Sequence, residues 1–391
     1  MNQVKELVLE NMDEIEKAFK LLAQGCKFIA VNVGELDSIL KVVRSVSAEI
    51  LETEGSESKF IAEQFKKVIQ KLKGIQYEID QIHLALQQST MNKQYFDYVA
   101  NIISQYEKFQ IFVNATTYKE KAKEKFIIQY ENTGRDGNID ALYNAVTGEN
   151  FTGDAILDTV VTTEQRSRKQ VEEFCTWLKM IFVMGIIAMW GYATLKKTAV
   201  EKILNEWRGR FKKVEKRMKA AVDDCINNFH MQAKMDVEQR FLKGSASVDP
   251  EFARSILDML KKKYYWVSWS VQVVNHSGGF FLWNWLAGKK YNGSGGGGNF
   301  FDLLTPNSIK IVVSFSADPK PINKSELIDQ IEAQKLKGNM ESVAQMLGKT
   351  FPNTVVHAIS TFKKVEEKNN FQPECFYFEK RKNAYLCVHS E

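Results

Sequence analysis

Apolar residues recur along the first two thirds of the chain with the alternating three- and four-residue spacing of helices that pack along their length. The longest run of this kind is Ile61, Phe65, Val68, Leu72, Ile75, Ile79, Ile82 and Leu86. Further along, the same spacing selects Tyr95, Val99, Ile102, Tyr106 and Phe109. After residue 195 it selects Val200, Leu204, Trp207, Phe211, Val214, Met218, Ala221 and Cys225. The spacing predicts long α-helices that bury one face against each other.

Proline marks a boundary in this pattern. All six prolines lie at or after Pro250, and proline is poorly tolerated inside helices. The small and polar residues GSASVDP occupy positions 244–250, where a hinge between two domains is expected. We therefore predict a mainly α protein, with an elongated bundle of long antiparallel helices over residues 1–248 and a separate domain over residues 249–391.

The last third of the chain opens with a helix predicted at 250–262 and then changes to the two-residue period of β-strands. Half-buried strands are predicted where apolar and polar residues alternate, at 267–273 and 309–315. The remaining predicted elements are strands at 355–362, 375–378 and 385–389 and a helix at 325–347. Together they predict a small α+β domain with a mainly antiparallel sheet.

One stretch of the helical region differs from the rest, because residues 180–195 contain no charged side chain. A helix of this length spans about 24 Å, at about 1.5 Å per residue, whereas the hydrocarbon core of a bilayer measures about 30 Å. Lys179 and Lys196 flank the stretch, and both could extend their ammonium groups past an apolar layer. Gly185 and Gly191 are predicted as positions where the helix could bend.

The uncharged stretch and the residues after it predict two sets of membrane contacts. Tryptophan and tyrosine near its ends favour the membrane interface. The predicted membrane-inserting residues, within 177–195, are Trp177, Met180, Ile181, Phe182, Val183, Met184, Gly185, Ile186, Ile187, Ala188, Met189, Trp190, Tyr192 and Leu195. Residues 196–219 hold ten basic and three acidic side chains, and anionic head groups attract each cation by about 1 kcal/mol. The predicted head-group contacts are Lys196, Lys197, Lys202, Arg208, Arg210, Lys212 and Lys213.

Three interpretations of the uncharged stretch remain open on the sequence alone. It is a central helix that is apolar all round because other helices surround it, a permanent membrane anchor, or a segment that is buried in solution and inserted later. The third is favoured, because the stretch lies between long helices predicted at 152–178 and 196–242. No turn signal follows it, so it resembles the tip of a helical hairpin.

Other candidate sites are weaker. The glycine-rich residues 293–298 lack the helix and the acidic residue of a dinucleotide-binding turn, so a mobile loop between strands is expected. Cys375, Cys387, His357 and His389 fall on predicted strands without a metal-binding motif, so neither a metal nor a cofactor is predicted.

Four of the seven tryptophans lie within residues 266–285, in a cluster of aromatic residues. Strand alternation would direct one set of these side chains into a core beneath a helix. The other face is a candidate surface for a ligand, a glycan or a lipid, and it comprises Tyr264, Trp266 and Phe281.

Charge and cysteine content exclude several classes of protein. The net charge of +5 arises after residue 249, where 18 basic and 13 acidic residues form no stripe with stacking aromatics, so nucleic acid is not an expected partner. Five scattered cysteines do not form a disulfide framework. No signal segment opens the chain, so we expect a cytoplasmic or non-classically secreted protein that becomes membrane-associated. No spacing of nucleophile and base indicates an enzyme.

With its proline-free helices, its uncharged stretch and a second domain that opens with YYWVSWSVQVVNHSGGF, the chain resembles the rapunzel-like and cephalotoxin-like proteins of animals. Their architecture is similar to the helical pore-forming toxins of the cytolysin A group and to the helical region of jellyfish toxins. The resemblance implies that the segment around 180–195 inserts into a membrane after oligomerisation. Together with the basic residues that follow the segment, it leads us to expect a soluble protein that forms a homo-oligomer on an anionic lipid bilayer. The alternative function is a non-enzymatic coiled-coil scaffold with a regulatory α+β domain.

Overall fold

The computed structural model of the chain describes residues 93–115, 117–149, 155–198, 200–242, 246–275, 291–333 and 339–391. The seam predicted at 61–86 lies outside these ranges. By packing, the chain divides into two compact units, 1–228 and 229–391. The sequence placed the division at residue 248, and the difference is one helix, whose Phe229, Ala233 and Val237 are buried in the second unit.

Six helices form the described part of the first unit. They are α1 (Lys93–Asn114), α2 (Lys119–Asn132), α3 (Gly137–Thr147), α4 (Ile156–Thr163), α5 (Arg168–Leu195) and α6 (Val200–Asn227). The predicted α1 seam of Tyr95, Val99, Ile102, Tyr106 and Phe109 is at most 5% exposed. In α6 the buried positions are Trp207, Phe211, Val214, Met218, Ala221 and Cys225. The α1 seam and the α6 seam from Trp207 onward are therefore confirmed as core positions, while the side chains of Val200 and Leu204 lie outside the described part.

The helices that flank the uncharged stretch are shorter than predicted. A turn separates α4 from α5, and within it Gln165 and Arg166 adopt positive φ angles of 50° and 53°. A second turn follows α5, where Lys197 has a φ of 52°. The continuous helices predicted at 152–178 and 196–242 are therefore wrong, and so is the expectation that no turn follows the stretch. Turns at residues other than glycine or proline leave little signal in the sequence.

The second unit contains four helices and eight strands in its described part. They are α7 (Phe229–Leu242), α8 (Pro250–Lys263), β1 (Ser268–Asn275), β2 (Asn292–Gly296), β3 (Phe300–Leu304), β4 (Ile309–Ser316), α9 (Lys324–Ala333), α10 (Met340–Thr350), β5 (Thr354–Ser360), β6 (Val365–Asn369), β7 (Phe376–Arg381) and β8 (Ala384–Ser390). The helix predicted at 250–262 is confirmed as α8, and Asp249 caps it by accepting a hydrogen bond from the Phe252 N–H at 2.8 Å.

The strands form two antiparallel sheets, in the orders β3-β4-β1-β6 and β2-β5-β8-β7. Helices α7 and α8 cover the first sheet, and α9 and α10 cover the second. The inner faces of the sheets meet where the Ser270 hydroxyl lies 4.0 Å from the Cys387 thiol. A mainly α chain with a small antiparallel α+β domain is thus confirmed, and this unit has four layers.

Two predictions about the strands and helices of this unit are wrong. Strands β1 and β4 are buried on both faces rather than half-buried, because helices cover one face and the second sheet covers the other. Small polar residues such as Ser270 and Ser314 lie on the inner face, and in the sequence they resemble solvent-facing positions. The helix predicted at 325–347 consists of two separate helices, α9 and α10.

The glycine-rich residues 293–298 are not the mobile loop that was expected. Residues Asn292–Gly296 form strand β2, and α10 packs directly on it. A Cβ atom on Gly293 would lie 2.1 Å from the Glu341 Cα, and one on Gly295 would lie 2.3 Å from the Ala344 carbonyl oxygen. Glycine is required here because the helix backbone approaches the strand too closely for a side chain.

Candidate membrane-insertion helix

Helix α5 contains the whole uncharged stretch and forms the centre of the helical unit. It packs against α1, α2, α3, α4 and α6. In the part of the chain that the structure describes, it is the one helix long and apolar enough to cross a membrane. The most apolar 18 consecutive residues of this helix are all buried. Its 28 residues span about 42 Å at about 1.5 Å per residue. The helix is therefore long enough for a bilayer, but in this state other helices enclose it.

The structure places almost all of the predicted membrane-inserting residues in the protein core. Tyr192 and Leu195, near the end of the helix, are half-buried. The buried members of the set are Trp177, Met180, Ile181, Phe182, Val183, Met184, Gly185, Ile186, Ile187, Ala188, Met189 and Trp190. Lys179 is only 2% exposed, so in this state it does not extend to solvent from an end of the helix.

The two glycines of α5 are contact points rather than bends. A Cβ atom on Gly185 would lie 2.7 Å from the Ile139 Cδ1 of α3, and one on Gly191 would lie 2.1 Å from the Phe109 ring of α1. The helix runs without interruption through both positions. Because glycine has no side chain, α3 packs close to the middle of α5 at Gly185, and α1 packs close to its end at Gly191.

Polar contacts fix the C-terminal end of α5 against α2. The Tyr192 hydroxyl donates to the Glu131 carboxylate at 2.7 Å, and the Lys196 ammonium lies 3.1 Å from the same oxygen. These hydrogen bonds, the one from Tyr192 first, hold the pKa of Glu131 below its usual value. The Tyr192 ring also stacks on Tyr130, with ring centroids 4.5 Å apart.

The turn before α5 and the first turns of the helix contact α6. The Arg166 guanidinium donates to the Asp224 carboxylate at 3.0 Å. Two thiols, those of Cys175 in α5 and Cys225 in α6, are buried, and burial raises the pKa of each to about 12. Both cysteines therefore remain protonated and unreactive at neutral pH.

Three of the seven predicted head-group residues form ion pairs with acidic residues of the protein itself. The Arg210 guanidinium pairs with Asp140 of α3 and lies 4.9 Å from the centre of the Trp207 ring. The Lys213 ammonium lies 2.8 Å from Glu149, and this contact lowers the pKa of that carboxyl. Lys196 pairs with Glu131, as described above. Of the others, Arg208 is half-buried and the exposed ones are Lys197, Lys202 and Lys212.

The acidic partners of these cations were not recognised from the sequence. Asp140 and Glu149 lie 70 and 64 positions from the basic residues they bind, and Arg217 pairs with Asp158 over 59 positions. No periodic pattern connects residues so far apart. A run of cations in a sequence indicates an anionic partner, but only the packing of α3 and α4 on α6 identifies it.

The aromatic cluster of the second unit does not form the predicted surface. Tyr264 is fully buried and donates a hydrogen bond to the Asp236 carboxylate at 2.7 Å, while Tyr265 is 51% exposed. Strand β1 begins only at Ser268, so residues 264–267 form a turn in which strand alternation does not apply. Trp266 is half-buried, and Phe281 lies outside the described residues.

The cysteine and histidine side chains of the second unit are buried. Cys375, Cys387, His357 and His389 are each at most 2% exposed. No group of three or more histidine, cysteine or acidic residues in the described ranges is arranged to hold a metal ion. The His389 Nδ1–H donates to the Ser390 carbonyl at 2.7 Å, and its buried Nε2 lone pair has no partner among the residues that the structure describes.

Comparison with known proteins identifies the helical region. Residues 52–245, which include all of α1 to α7, match the family model described as the cephalotoxin-like middle helical domain. The match covers just under half of the chain, and over these residues the chain is similar to that domain. "Protein rapunzel" from Danio rerio is 27% identical over 164 residues, which cover 41% of this chain and 72% of that protein. No solved structure matches the chain.

The resemblance to rapunzel-like and cephalotoxin-like proteins is thus confirmed, and the likeness to the cytolysin A group stays a prediction. The cephalotoxin-like domain contains α5 and every polar contact described around it. The similarity to a cephalotoxin-like helical domain and to rapunzel points to a non-catalytic protein.

Proposed function

We propose that this chain is an α-helical membrane-perturbing or pore-forming protein, soluble at first, that forms a homo-oligomer on a bilayer and inserts α5. The observation that carries the proposal is the position of α5. It is an apolar helix of membrane-spanning length that five other helices enclose. Such a helix has two environments that satisfy it, the core of this domain and the hydrocarbon of a bilayer.

The contacts at the two ends of α5 are weak enough for this helix to leave the core when a membrane is present. Glu131 and Asp224 hold the ends of the helix through ion pairs that are half-exposed to solvent. Exposed and half-exposed pairs each contribute on the order of 1 kcal/mol or less, so anionic lipids can compete for the same cations. Separation of these pairs would release Lys196 toward head groups next to an inserted helix.

One buried group also favours a second environment for α5. The Trp190 indole N–H is fully buried and has no hydrogen-bond acceptor within the part of the chain that the structure describes. An unpaired buried donor costs about 1–3 kcal/mol. At a membrane interface the indole can keep its ring in the apolar layer and donate to water or a lipid ester, so insertion would relieve this cost.

Oligomerisation follows from what α5 covers. If α5 leaves the domain, the buried faces of α1 and α6 lose the helix that shields them from water. These faces include Phe109 of α1 and Trp207 and Phe211 of α6, and the Phe211 ring contacts Phe182 of α5. Apolar faces of that size associate in water. Pairing of these faces between copies of the chain would bury them again. A homo-oligomer is therefore part of the proposal.

The alternative function is a non-enzymatic scaffold in which α5 never leaves the core. The complete burial of its apolar window favours this alternative, because the central helix of a soluble protein has the same composition and burial. The two functions differ in one measurable property, which is whether α5 must separate from α3 for the protein to act on a membrane.

A disulfide bond between α3 and α5 is expected to abolish leakage from liposomes if insertion requires release of α5. Gly185→Cys with Ile139→Cys suits this purpose, because the Gly185 Cβ position lies 3.3 Å from the Ile139 Cγ1. The second substitution also removes the Cδ1 atom that the new side chain would meet. Release of a trapped dye from anionic liposomes should be lost in the oxidised protein and recovered after reduction.

The chain itself offers suitable controls for this experiment. Cys175 and Cys225 stay as buried thiols, and Cys26 is replaced by serine throughout. Gly185→Ser with Ile139→Ser gives the same change in volume without a bridge, and its leakage should not respond to oxidation. Full leakage from the oxidised, cross-linked protein would contradict insertion of α5. Absence of leakage from the unmodified protein would favour the scaffold.

A further inference from the structure

One end of the second unit presents the two most exposed large apolar side chains among the residues of this unit that the structure describes. Phe362 is 85% exposed and Leu304 is 64% exposed. Phe362 lies in the loop between β5 and β6, and Leu304 is the last residue of β3. The register pairs Leu304 with Lys310, Lys310 with Val274, and Val274 with Val365, so both residues lie at the same end of the first sheet.

A second loop lies beside Phe362. The turn that joins β7 to β8 contacts the β5–β6 loop, since the Thr361 N–H donates to the Asn383 carbonyl at 3.0 Å. Both loops and the end of β7 are basic, and their cations are Lys363, Lys364, Lys380, Arg381 and Lys382. The loop that carries the exposed phenyl ring and the turn beside it are therefore both basic.

Several of these cations are not neutralised by the protein. Arg381 pairs with Glu379 and Glu332, and the Lys364 ammonium donates to the Val248 carbonyl at 2.8 Å. In contrast, Lys363 and Lys382 have no carboxylate within salt-bridge distance among the residues that the structure describes. Lys363 instead lies over the Tyr291 ring, with its ammonium 5.1 Å from the ring centre. These charges are available to an external anion.

Asn275 and Tyr291 also lie at this end of the second unit. The Asn275 N–H donates to the Lys364 carbonyl at 3.2 Å, and the Ser360 N–H donates to the Tyr291 carbonyl at 2.8 Å. The residues between Asn275 and Tyr291 have the sequence HSGGFFLWNWLAGKK, which contains two phenylalanines and two tryptophans.

We propose that this end, defined by Phe362, Leu304, Lys363 and Lys382, docks the protein on an anionic lipid bilayer. An aromatic ring at a loop tip enters the interfacial layer of a membrane, and flanking cations are attracted to anionic head groups by about 1 kcal/mol each. A protein partner would instead require a contiguous apolar patch of several hundred Å². The inference rests on the proposed function, and it assigns the first membrane contact to the second unit rather than to α5.

The test is co-sedimentation of the full-length chain with vesicles that contain about one third phosphatidylserine, at low and at physiological salt. Phe362→Ser with Leu304→Ser should weaken binding at least about tenfold. Lys363→Gln with Lys382→Gln should weaken binding about 25-fold, which corresponds to about 1 kcal/mol for each charge. The second variant should also show a smaller dependence of binding on salt.

Matched substitutions at the opposite end of the unit serve as controls. Tyr265→Ser removes an exposed aromatic side chain that precedes β1, and Lys262→Gln with Lys349→Gln removes two exposed cations near the starts of β1 and β5. Circular dichroism and the thermal midpoint establish that each variant folds. The controls should bind vesicles as the unmodified chain does. Equal weakening by both sets of variants would overturn the assignment of this end.

Two further outcomes separate docking from insertion. The cross-linked Gly185→Cys, Ile139→Cys protein should bind vesicles normally while it fails to release dye, because docking does not need α5. Unchanged binding of the Phe362 and Lys363 variants would overturn the docking surface while leaving the role of α5 intact. Displacement of the chain from vesicles by a DNA oligonucleotide would also overturn the proposal, since it would identify an unselective cationic surface.

Discussion

Replacement of Gly295 by alanine is expected to destabilise the second unit by about 3 kcal/mol or more. The new Cβ atom would lie 2.3 Å from the Ala344 carbonyl oxygen and 2.6 Å from the Gln345 nitrogen, both in the backbone of α10. A backbone cannot rotate away as a flexible side chain can, so α10 would have to move off the sheet. Hydrogen exchange of β5 and β8 peptides, measured on the full chain, reports this loss.

Gly298 provides a control within the same glycine run. A Cβ atom there meets nothing within 4 Å, so Gly298→Ala should leave stability unchanged or raise it by up to about 1 kcal/mol. The raised stability would come from a smaller conformational freedom in the unfolded chain. If both substitutions are tolerated equally, strand β2 does not lie under α10 and the glycine run is the mobile loop that the sequence suggested.

Acidification from pH 7.5 to pH 5 is expected to lower the free energy of unfolding of the second unit by about 4 kcal/mol. The side chains responsible are His357 and His389, which lie between the two sheets. Burial lowers the pKa of His357 to about 3 and that of His389 to about 4, from an ordinary value of 6.5. Below pH 6.5 the unfolded chain therefore binds two protons that the folded chain does not bind. The free energy of unfolding falls as the pH drops from about 6.5 toward the pKa values of the folded state.

The surroundings of the two histidines explain why the folded state rejects these protons. Phe300 and Phe371 contact the imidazoles of His357 and His389, with ring centroids 5.1 Å and 4.7 Å away. His389 and Lys310 add unfavourable positive charge near His357. Glu367 acts in the opposite direction, because burial raises its pKa and its protonation favours the folded state at low pH.

The expected pH dependence is measured by urea denaturation with hydrogen exchange of β5 and β8 peptides between pH 7.5 and pH 5. His357→Asn with His389→Asn should flatten the slope of stability against pH, whatever its effect at pH 7.5. The exposed His230 supplies the control, since His230→Asn should not change the slope. A slope that persists in the double variant would show that other groups cause any acid sensitivity.

Much of the helical domain was predictable because its signals are local. The heptad spacing of α1 and α6 selected residues that are buried, and it did so because one face of a packed helix repeats at that interval. The absence of a charge in residues 180–195 likewise predicted a helix without a solvent-facing side. Strands β4, β5 and β8 were also found from alternation or apolar runs near their observed positions.

Errors arose where distant parts of the chain meet. Tyr264 seemed to belong to an exposed face, but its hydroxyl reaches Asp236, which lies 28 positions earlier on α7. The glycine run resembled a linker. Gly293 and Gly295 instead allow the backbone of α10 to approach the strand, and α10 begins more than 40 positions later in the chain. The basic stretch of α6 suggested only lipids, whereas Asp140 and Glu149 already neutralise part of it.

The sequence by itself determined that this chain has a long apolar helix, amphipathic helices around it and a β-rich second domain, because periodicity and charge are properties of neighbouring residues. Only the tertiary structure decided that α5 is enclosed, which acidic residues hold its ends, and that Phe362 and Leu304 lie at one end of a sandwich. These features depend on contacts between residues that are distant in the chain. Such contacts cannot be read from the local pattern of apolar and polar residues.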